Sequence, residues 1–176
     1  MIHVGVSGLA KCLTLEMQAH KKGYQRLDYY DTCPAGHVCP AEGANRLHTK
    51  LNVERLCKDF NDACSQDDNT QAVPSKDAGR YLCEYIYYTS LSIDNSCTLF
   101  VHVPDMEVYS SQQTARGLER ILALCLEQLR KTDTDVDINE KLKDVTLEKD
   151  NRICTKCIGP KSWDTKYQAG SRQAPP

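Results

Sequence analysis

The stretch Ser75-Lys-Asp-Ala-Gly-Arg-Tyr-Leu-Cys83-Glu-Tyr constrains this chain more than any other. Ser75 or Asp77 can cap a helix, and Gly79 permits a sharp turn. An amphipathic helix follows, with Leu82, Tyr85, Ile86 and Thr89 along one face. Cys83 then stands in the first turns of that helix. Unpaired N–H groups and the positive end of the helix dipole favour a thiolate there, and the same N–H groups point where an oxyanion forms. A chain that uses such a thiol must also supply a base, an acid to orient the base, and a substrate pocket.

The neighbouring segments read as strands and helices in alternation. Ile2 to Val6 is short, apolar and β-branched and breaks at Ser7-Gly8, which fits a buried parallel strand. Leu13, Leu15, Met17 and Ala19 alternate with Thr14, Glu16, Gln18 and His20. Period two predicts a half-buried strand with Glu16 on its solvated face. Residues 23 to 48, rich in Gly, Pro, Asp and Tyr, read as a long irregular loop. Val53, Leu56, Cys57, Phe60, Ala63 and Cys64 form the stripe of a helix over Lys50 to Cys64, with Thr49 as N-cap. Ser65 to Thr70 is a polar linker, and Gln71 to Pro74 a meagre strand because Pro74 removes a ladder donor.

Thr98-Leu-Phe-Val-His102-Val is an apolar buried strand stopped by Pro104. His102 lies near its C-terminal end, where open α/β sheets hold their active sites. Leu118, Ile121, Leu122, Cys125, Leu126 and Leu129 give Thr114 to Arg130 the clearest helical stripe in the chain. The expected organisation is one α/β domain over residues 1–130 and a disordered tail over 131–176, with a weak helix at Ile138 to Leu147.

Bulk properties exclude several functions. The 176 residues suit one domain with a sizeable core. A net charge of −2 offers no basic field for nucleic acid and no polybasic face for anionic lipid. No apolar run reaches bilayer length, and Met-Ile-His-Val-Gly-Val reads as a strand, not a signal peptide. The ten cysteines follow no regular framework and are expected as reduced, cytosolic thiols, with Cys57 and Cys125 in the core. Cys33, His37 and Cys39, with Cys154-Thr-Lys-Cys157, are metal-ligand types. Their spacing is irregular, and ordinary loop thiols are the favoured reading. Tyr85, Tyr87 and Tyr88 read as core and groove residues, and His3, His20 and His48 as surface or loop residues.

Three stretches carry a resemblance. Val4-Gly-Val-Ser-Gly8 with Thr14-Leu-Glu16, Asp77-Ala-Gly-Arg-Tyr-Leu-Cys83-Glu84, and Phe100-Val-His102-Val-Pro104 resemble the pyroglutamyl-peptidase I family of cysteine peptidases. The order Glu, Cys, His matches, as does Tyr85-Ile-Tyr-Tyr-Thr-Ser-Leu91, and together the matches span about residues 2 to 130. The resemblance implies a three-layer α/β sandwich with a twisted, mostly parallel sheet. It implies Cys83 as nucleophile, His102 as general base and then acid, and Glu16 as the group that orients His102. It places Tyr81 and Leu82 beside the pyroglutamyl ring and Arg26 on the oxyanion side. The implied substrates are peptides with an N-terminal pyroglutamate, and the acyl transfer requires no metal or cofactor.

Relatives in that family carry a further strand, a Gly-Phe-Gly-Pro-Phe type loop and a helix ahead of the strand that opens here, so the resemblance implies an N-terminally truncated sandwich. The two phenylalanines of this chain, Phe60 and Phe100, lie in no such loop. The alternative expectation is therefore a truncated, catalytically weak or inactive member of the family.

Overall fold

A computed structural model describes residues 1–63 and 69–133. Residues 1–138 form one compact unit; a second, 139–176, lies outside the described residues, as does nearly all of the expected tail.

The sheet is built around β6 (Leu99–Val103), whose five residues are all buried. On one side β1 (Ile2–Val6) runs parallel to it, with Ile2 opposite Leu99 and Val6 opposite Val103. On the other side β2 (Leu13–Glu16) runs antiparallel, with Thr14 opposite His102 and Glu16 opposite Phe100. β5 (Ala72–Ser75) closes the order β1-β6-β2-β5 by pairing in parallel with β2. Two of the three ladders are thus parallel. Pro74 is tolerated because β5 is an edge strand. A two-stranded antiparallel sheet, β3 (Gln18–His20) with β4 (Arg46–His48), continues from the end of β2.

Strand alternation divides β6 between two layers. Leu99, Val101 and Val103 share a core with Leu13 and Leu15 and with two helices, α1 (Val53–Asp62) and α3 (Ser111–Asp133). Phe100 faces the opposite way, into a cluster with Tyr87, Tyr88 and Leu91 of α2 (Leu82–Ile93). The result is the expected helix–sheet–helix sandwich. It also fixes which face carries the chemistry: Glu16 and His102 both lie on the side of α2.

The structure departs from the sequence reading at several elements. β1 is parallel but not buried: with one neighbour only, Val4 and Val6 are 50% and 66% exposed. Residues 23 to 48 are not one irregular loop, since they contain β4, a 3-10 turn at Ala35–His37 and a bridge from Lys22 to Val38. Asn52, not Thr49, caps α1, accepting from the Arg55 N–H, while Thr49 Oγ1 donates to the Thr98 carbonyl at 2.6 Å. Val53, Leu56, Cys57 and Phe60 are buried as expected, but Ala63 is exposed and Cys64 lies outside the described residues. In α3 the buried stripe is Ile121 and Cys125 with Leu118 and Leu129 against it; Leu122 and Leu126 face outward.

Candidate active site

The turn before α2 is assembled by its own polar side chains. Ser75 Oγ accepts from the Asp77 N–H, and Asp77 Oδ1 accepts from the Gly79 N–H, each at 3.1 Å. Gly79 turns with φ +78°, a conformation open to glycine at little cost. Ser75 and Asp77 therefore shape the approach and do not cap the helix; the N-cap is Tyr81, without a side-chain cap bond. Cys83 is the second residue of α2, so its N–H has no intrahelical acceptor and stays free for an oxyanion.

The helix presents a different face from the one expected. Glu84, Tyr87, Tyr88 and Leu91 are buried, while Leu82 and Ile86 are about half exposed. Rotating Leu82 outward leaves Cys83 between the sheet face and two cavities.

His102 and Glu16 meet across the β2–β6 ladder. In antiparallel register Glu16 opposes Phe100, and His102 is its diagonal neighbour, within reach of a long side chain. Glu16 Oε1 lies 2.8 Å from His102 Nδ1. A carboxylate only accepts, so the imidazole donates from Nδ1, which leaves Nε2 for Cys83. Cys83 and His102 line the same cavity, with Nδ1 held by Glu16 and Nε2 left to the thiol. Burial opposes a charge on His102, but its interactions with Cys83 and Glu16 outweigh it and push its pKa up to about 9. Glu16 is 1% exposed, contrary to the solvated position that period two predicts, because α2 and the segment after β3 cover that face. Its second oxygen, Oε2, is buried without a hydrogen-bond partner among the described residues.

A cavity of about 580 Å³ opens over these groups, lined by Ser7, Gly8, Thr14, Glu16, Arg26, Tyr81, Cys83 and His102 among others. Arg26 stacks on the Tyr81 ring at 4.2 Å, and Tyr81 Oη donates to the Leu27 carbonyl at 3.1 Å. Of the expected substrate-contacting residues, Arg26 and Tyr81 thus join Glu16, Cys83 and His102 in one cavity. Leu82 does not. It lines an apolar cavity of about 520 Å³ on the other side of Cys83, with His3, Val4, Gly5, Ile86 and Phe100. A third cavity, of about 320 Å³, shares the Arg26–Tyr81 wall and includes Cys33, Arg80 and Tyr85.

Sequence reasoning missed two features. A Cβ at Gly5 would stand 3.0 Å from Cys83 Sγ and 2.9 Å from Phe100 Cζ, so any side chain there must displace the thiol or the ring. A lone glycine inside a strand pattern is the signal that could have found it. His20 is not a surface residue: its Nδ1 lies 2.7 Å from Oε1 of the fully buried Glu84. The proposed metal ligands do not converge. Cys33 Sγ is 3.5 Å from His37 Nδ1, whereas Cys39 is buried beside Thr89. Among the described residues no three ligand-type side chains gather, and Cys154 and Cys157 lie outside them. No described helix is long and apolar enough to cross a membrane.

The sequence profile of the pyroglutamyl peptidase family PgaPase_1 matches residues 1–107. Human pyroglutamyl-peptidase 1 is 34% identical over 142 residues, 80% of this chain and 66% of the human protein. The rat protein of the same name is 34% identical over 143 residues, 81% of this chain and 67% of its own length. The chain thus spans about two thirds of the length of these relatives. In fold it is similar to a mutant pyrrolidone carboxyl peptidase from Pyrococcus furiosus, with a TM-score of 0.63 at 19% identity over 73% of this chain and 69% of that one. The pyrrolidone carboxyl peptidase of Thermococcus litoralis gives a TM-score of 0.61 at 19% identity, over 74% and 67%. On the profile match and the identity to the mammalian enzymes, the chain belongs to the pyroglutamyl-peptidase family.

Proposed function

We propose that the chain is a cysteine exopeptidase that releases N-terminal pyroglutamate from peptides, with Cys83 as nucleophile, His102 as base and acid, and Glu16 as the orienting carboxylate. The observation that carries this reading is the bond from His102 Nδ1 to Glu16 Oε1 at 2.8 Å, in one cavity with Cys83 at a helix N-terminus. A His102 that keeps its proton up to about pH 9 has that proton to give to a leaving amine. The thiolate attacks the pyroglutamyl carbonyl carbon, and the Cys83 N–H receives the oxyanion, with Arg26 on the same side. His102 then gives its proton to the departing amine, and a thioester remains on Cys83. Water, losing a proton to His102, attacks the thioester, and pyroglutamate leaves as the thiol re-forms.

The pyroglutamyl ring is small, neutral and apolar on both faces. The apolar cavity beside Cys83 offers it matching walls, with Leu82 and Tyr81 bracketing the nucleophile. Every step uses side chains and water. The unpaired state of all seven described cysteines supports a reducing, cytosolic location. The test is release of aminomethylcoumarin from its pyroglutamyl amide. Activity is expected in the native chain and abolished in Cys83→Ala; no release above blank by folded native protein would sink the proposal.

One observation favours a second reading, a weakly active member of the family. Val4, Leu82 and Ile86, the walls of the apolar cavity, are 50%, 56% and 48% exposed, so a bound ring stays partly wet. One-to-one labelling of Cys83 by a pyroglutamyl chloromethyl ketone rules this out. Labelling no faster than with an unrelated chloromethyl ketone supports it.

A further inference from the structure

Glu84, next to the nucleophile, is 0% exposed, and the chemistry just described does not use it. Its Oε1 accepts from His20 Nδ1 at 2.7 Å and from the His20 backbone N–H at 3.1 Å. Arg80 Nη1 donates to both carboxylate oxygens, at 3.0 and 2.9 Å, and to Asp77 Oδ1 at 2.6 Å. Asp77 in turn holds the Gly79 N–H. These bonds close a ring from Asp77 through Gly79 and Arg80 to Glu84, and tie it to β3. β3, which carries His20, follows β2, which carries Glu16, after one residue, so the ring connects the turn that presents Cys83 to the segment that presents Glu16.

Two neutral bonds already link the same segments: Met17 N–H to the Ser75 carbonyl at 2.8 Å, and Gln18 Nε2 to the Lys76 carbonyl at 2.6 Å. Adding a buried carboxylate to hold them together is costly, since a buried ion pair is weak support for stability. What a charged, multiply bonded clasp adds is direction: it fixes the rotation of the first turn of α2.

We infer that Glu84, Arg80 and His20 are positioning residues, which fix the Gly79–Cys83 turn so that the Cys83 thiol and N–H face His102 and the substrate carbonyl. The inference rests on the proposed acyl transfer for its kinetic arm only. Burial raises the Glu84 pKa, while His20 and Arg80 work against that rise. Asp77 and Tyr24 are the other titratable groups facing the clasp. Glu84→Gln keeps the size of the side chain and an oxygen acceptor for His20 and Arg80, so a loss of rate at an unchanged melting temperature separates positioning from simple structural support.

The experiment compares the native chain with Glu84→Gln and, as a second variant at a partly exposed site, Arg80→Gln. It reads kcat and KM on the pyroglutamyl coumarin amide, alkylation of Cys83 by iodoacetamide followed by mass spectrometry of its peptide, and thermal melting. Expected are a roughly 10-fold fall in kcat, KM within about 2-fold, and alkylation at pH 7 slowed by about 5-fold, at an unchanged melting temperature in Glu84→Gln and a lower one in Arg80→Gln, which strips a donor from both oxygens of a buried carboxylate. Native kcat and alkylation in both variants overturn the inference, as does a fall in all readouts of Glu84→Gln that tracks a lower melting temperature. If the native chain lacks peptidase activity, the alkylation arm alone decides, so the two proposals fail separately.

Discussion

Two histidine–carboxylate pairs occupy the same side of the sheet. His102 meets Glu16 at 2.8 Å and His20 meets Glu84 at 2.7 Å, and both carboxylates are within 1% of full burial. The difference lies in the third partner. Beyond His102 stands a thiol, and beyond Glu84 stands the Arg80 guanidinium. In the first pair the histidine is the group in the middle, held by Glu16 at Nδ1 and left free at Nε2 to take a proton from Cys83 or water and give it to a leaving amine. In the second the carboxylate is in the middle, bonded on both flanks by donors. Identical pair geometry thus yields a base in one place and a clasp in the other, and the partner beyond the pair decides which.

Glu16→Gln gives the largest effect that sharpens this contrast. An amide that presents its N–H₂ to His102 selects the tautomer with the proton on Nε2, and one that presents its oxygen lacks the charge that stabilises the imidazolium. We expect kcat to fall about 1,000-fold with little change in KM, by analogy with loss of the orienting acid in other triads. Glu84→Gln, with its smaller fall, belongs beside it in the same assay. Equal losses in the two variants would erase the distinction between the pairs.

Gly5→Ala probes the first pair from below. The added methyl meets Cys83 Sγ and Phe100 Cζ at or inside 3.0 Å, so the thiol or the ring must shift. An expected displacement of several tenths of an ångström lowers kcat by about 100-fold, and overpacking takes about 1–3 kcal/mol from stability. Chemical denaturation and the coumarin assay measure the two separately. Native activity in this variant would mean that Cys83 does not need its present position.

The pairs also differ in how they respond to pH. His102 has a folded pKa of about 9 against an ordinary 6.5. A raised pKa contributes stability that is complete below 6.5 and lost as pH rises through about 9. At about 1.4 kcal/mol per unit the loss amounts to about 3 kcal/mol. Unfolding free energies from pH 6 to 10 should decline along that window in the native chain and stay flatter in His102→Ala. Equal slopes would show that another group is responsible.

The two pairs were not equally legible in the sequence. Cys83 and His102 each sit in a local pattern, a helix start and a strand end, whereas Glu16 is legible only through the family resemblance. The second pair has no such signature. Period two sends Glu16, Gln18 and His20 to a polar face, and on local evidence a polar face is solvated. Glu16 and Gln18 are buried and His20 half-buried because each side chain has a partner dozens of residues away: His102, the Lys76 carbonyl and Glu84. The face of α2 was misread for the same reason. Leu82 and Ile86 look like core and Glu84 like surface, yet Glu84 is inside because Arg80 and His20 accompany it. Asn52 in place of Thr49 is a smaller slip, since Thr49 is held by β6's neighbour Thr98.

His20 should give the smallest effect, and it discriminates best within the second pair. Glu84 receives two bonds from His20, but one comes from the backbone N–H and survives any substitution. Only the ring Nδ1 bond is open to mutation. Asn places its amide N–H₂ close to the position of Nδ1, so His20→Asn should keep the clasp and leave kcat within about 2-fold of native. His20→Leu removes the donor from a fully buried carboxylate, which then relies on Arg80 and the backbone. We expect about a 3-fold loss in kcat and about 1–2 kcal/mol in stability. If Asn and Leu behave alike, the ring of His20 only fills space, and the clasp reduces to Arg80 and Glu84.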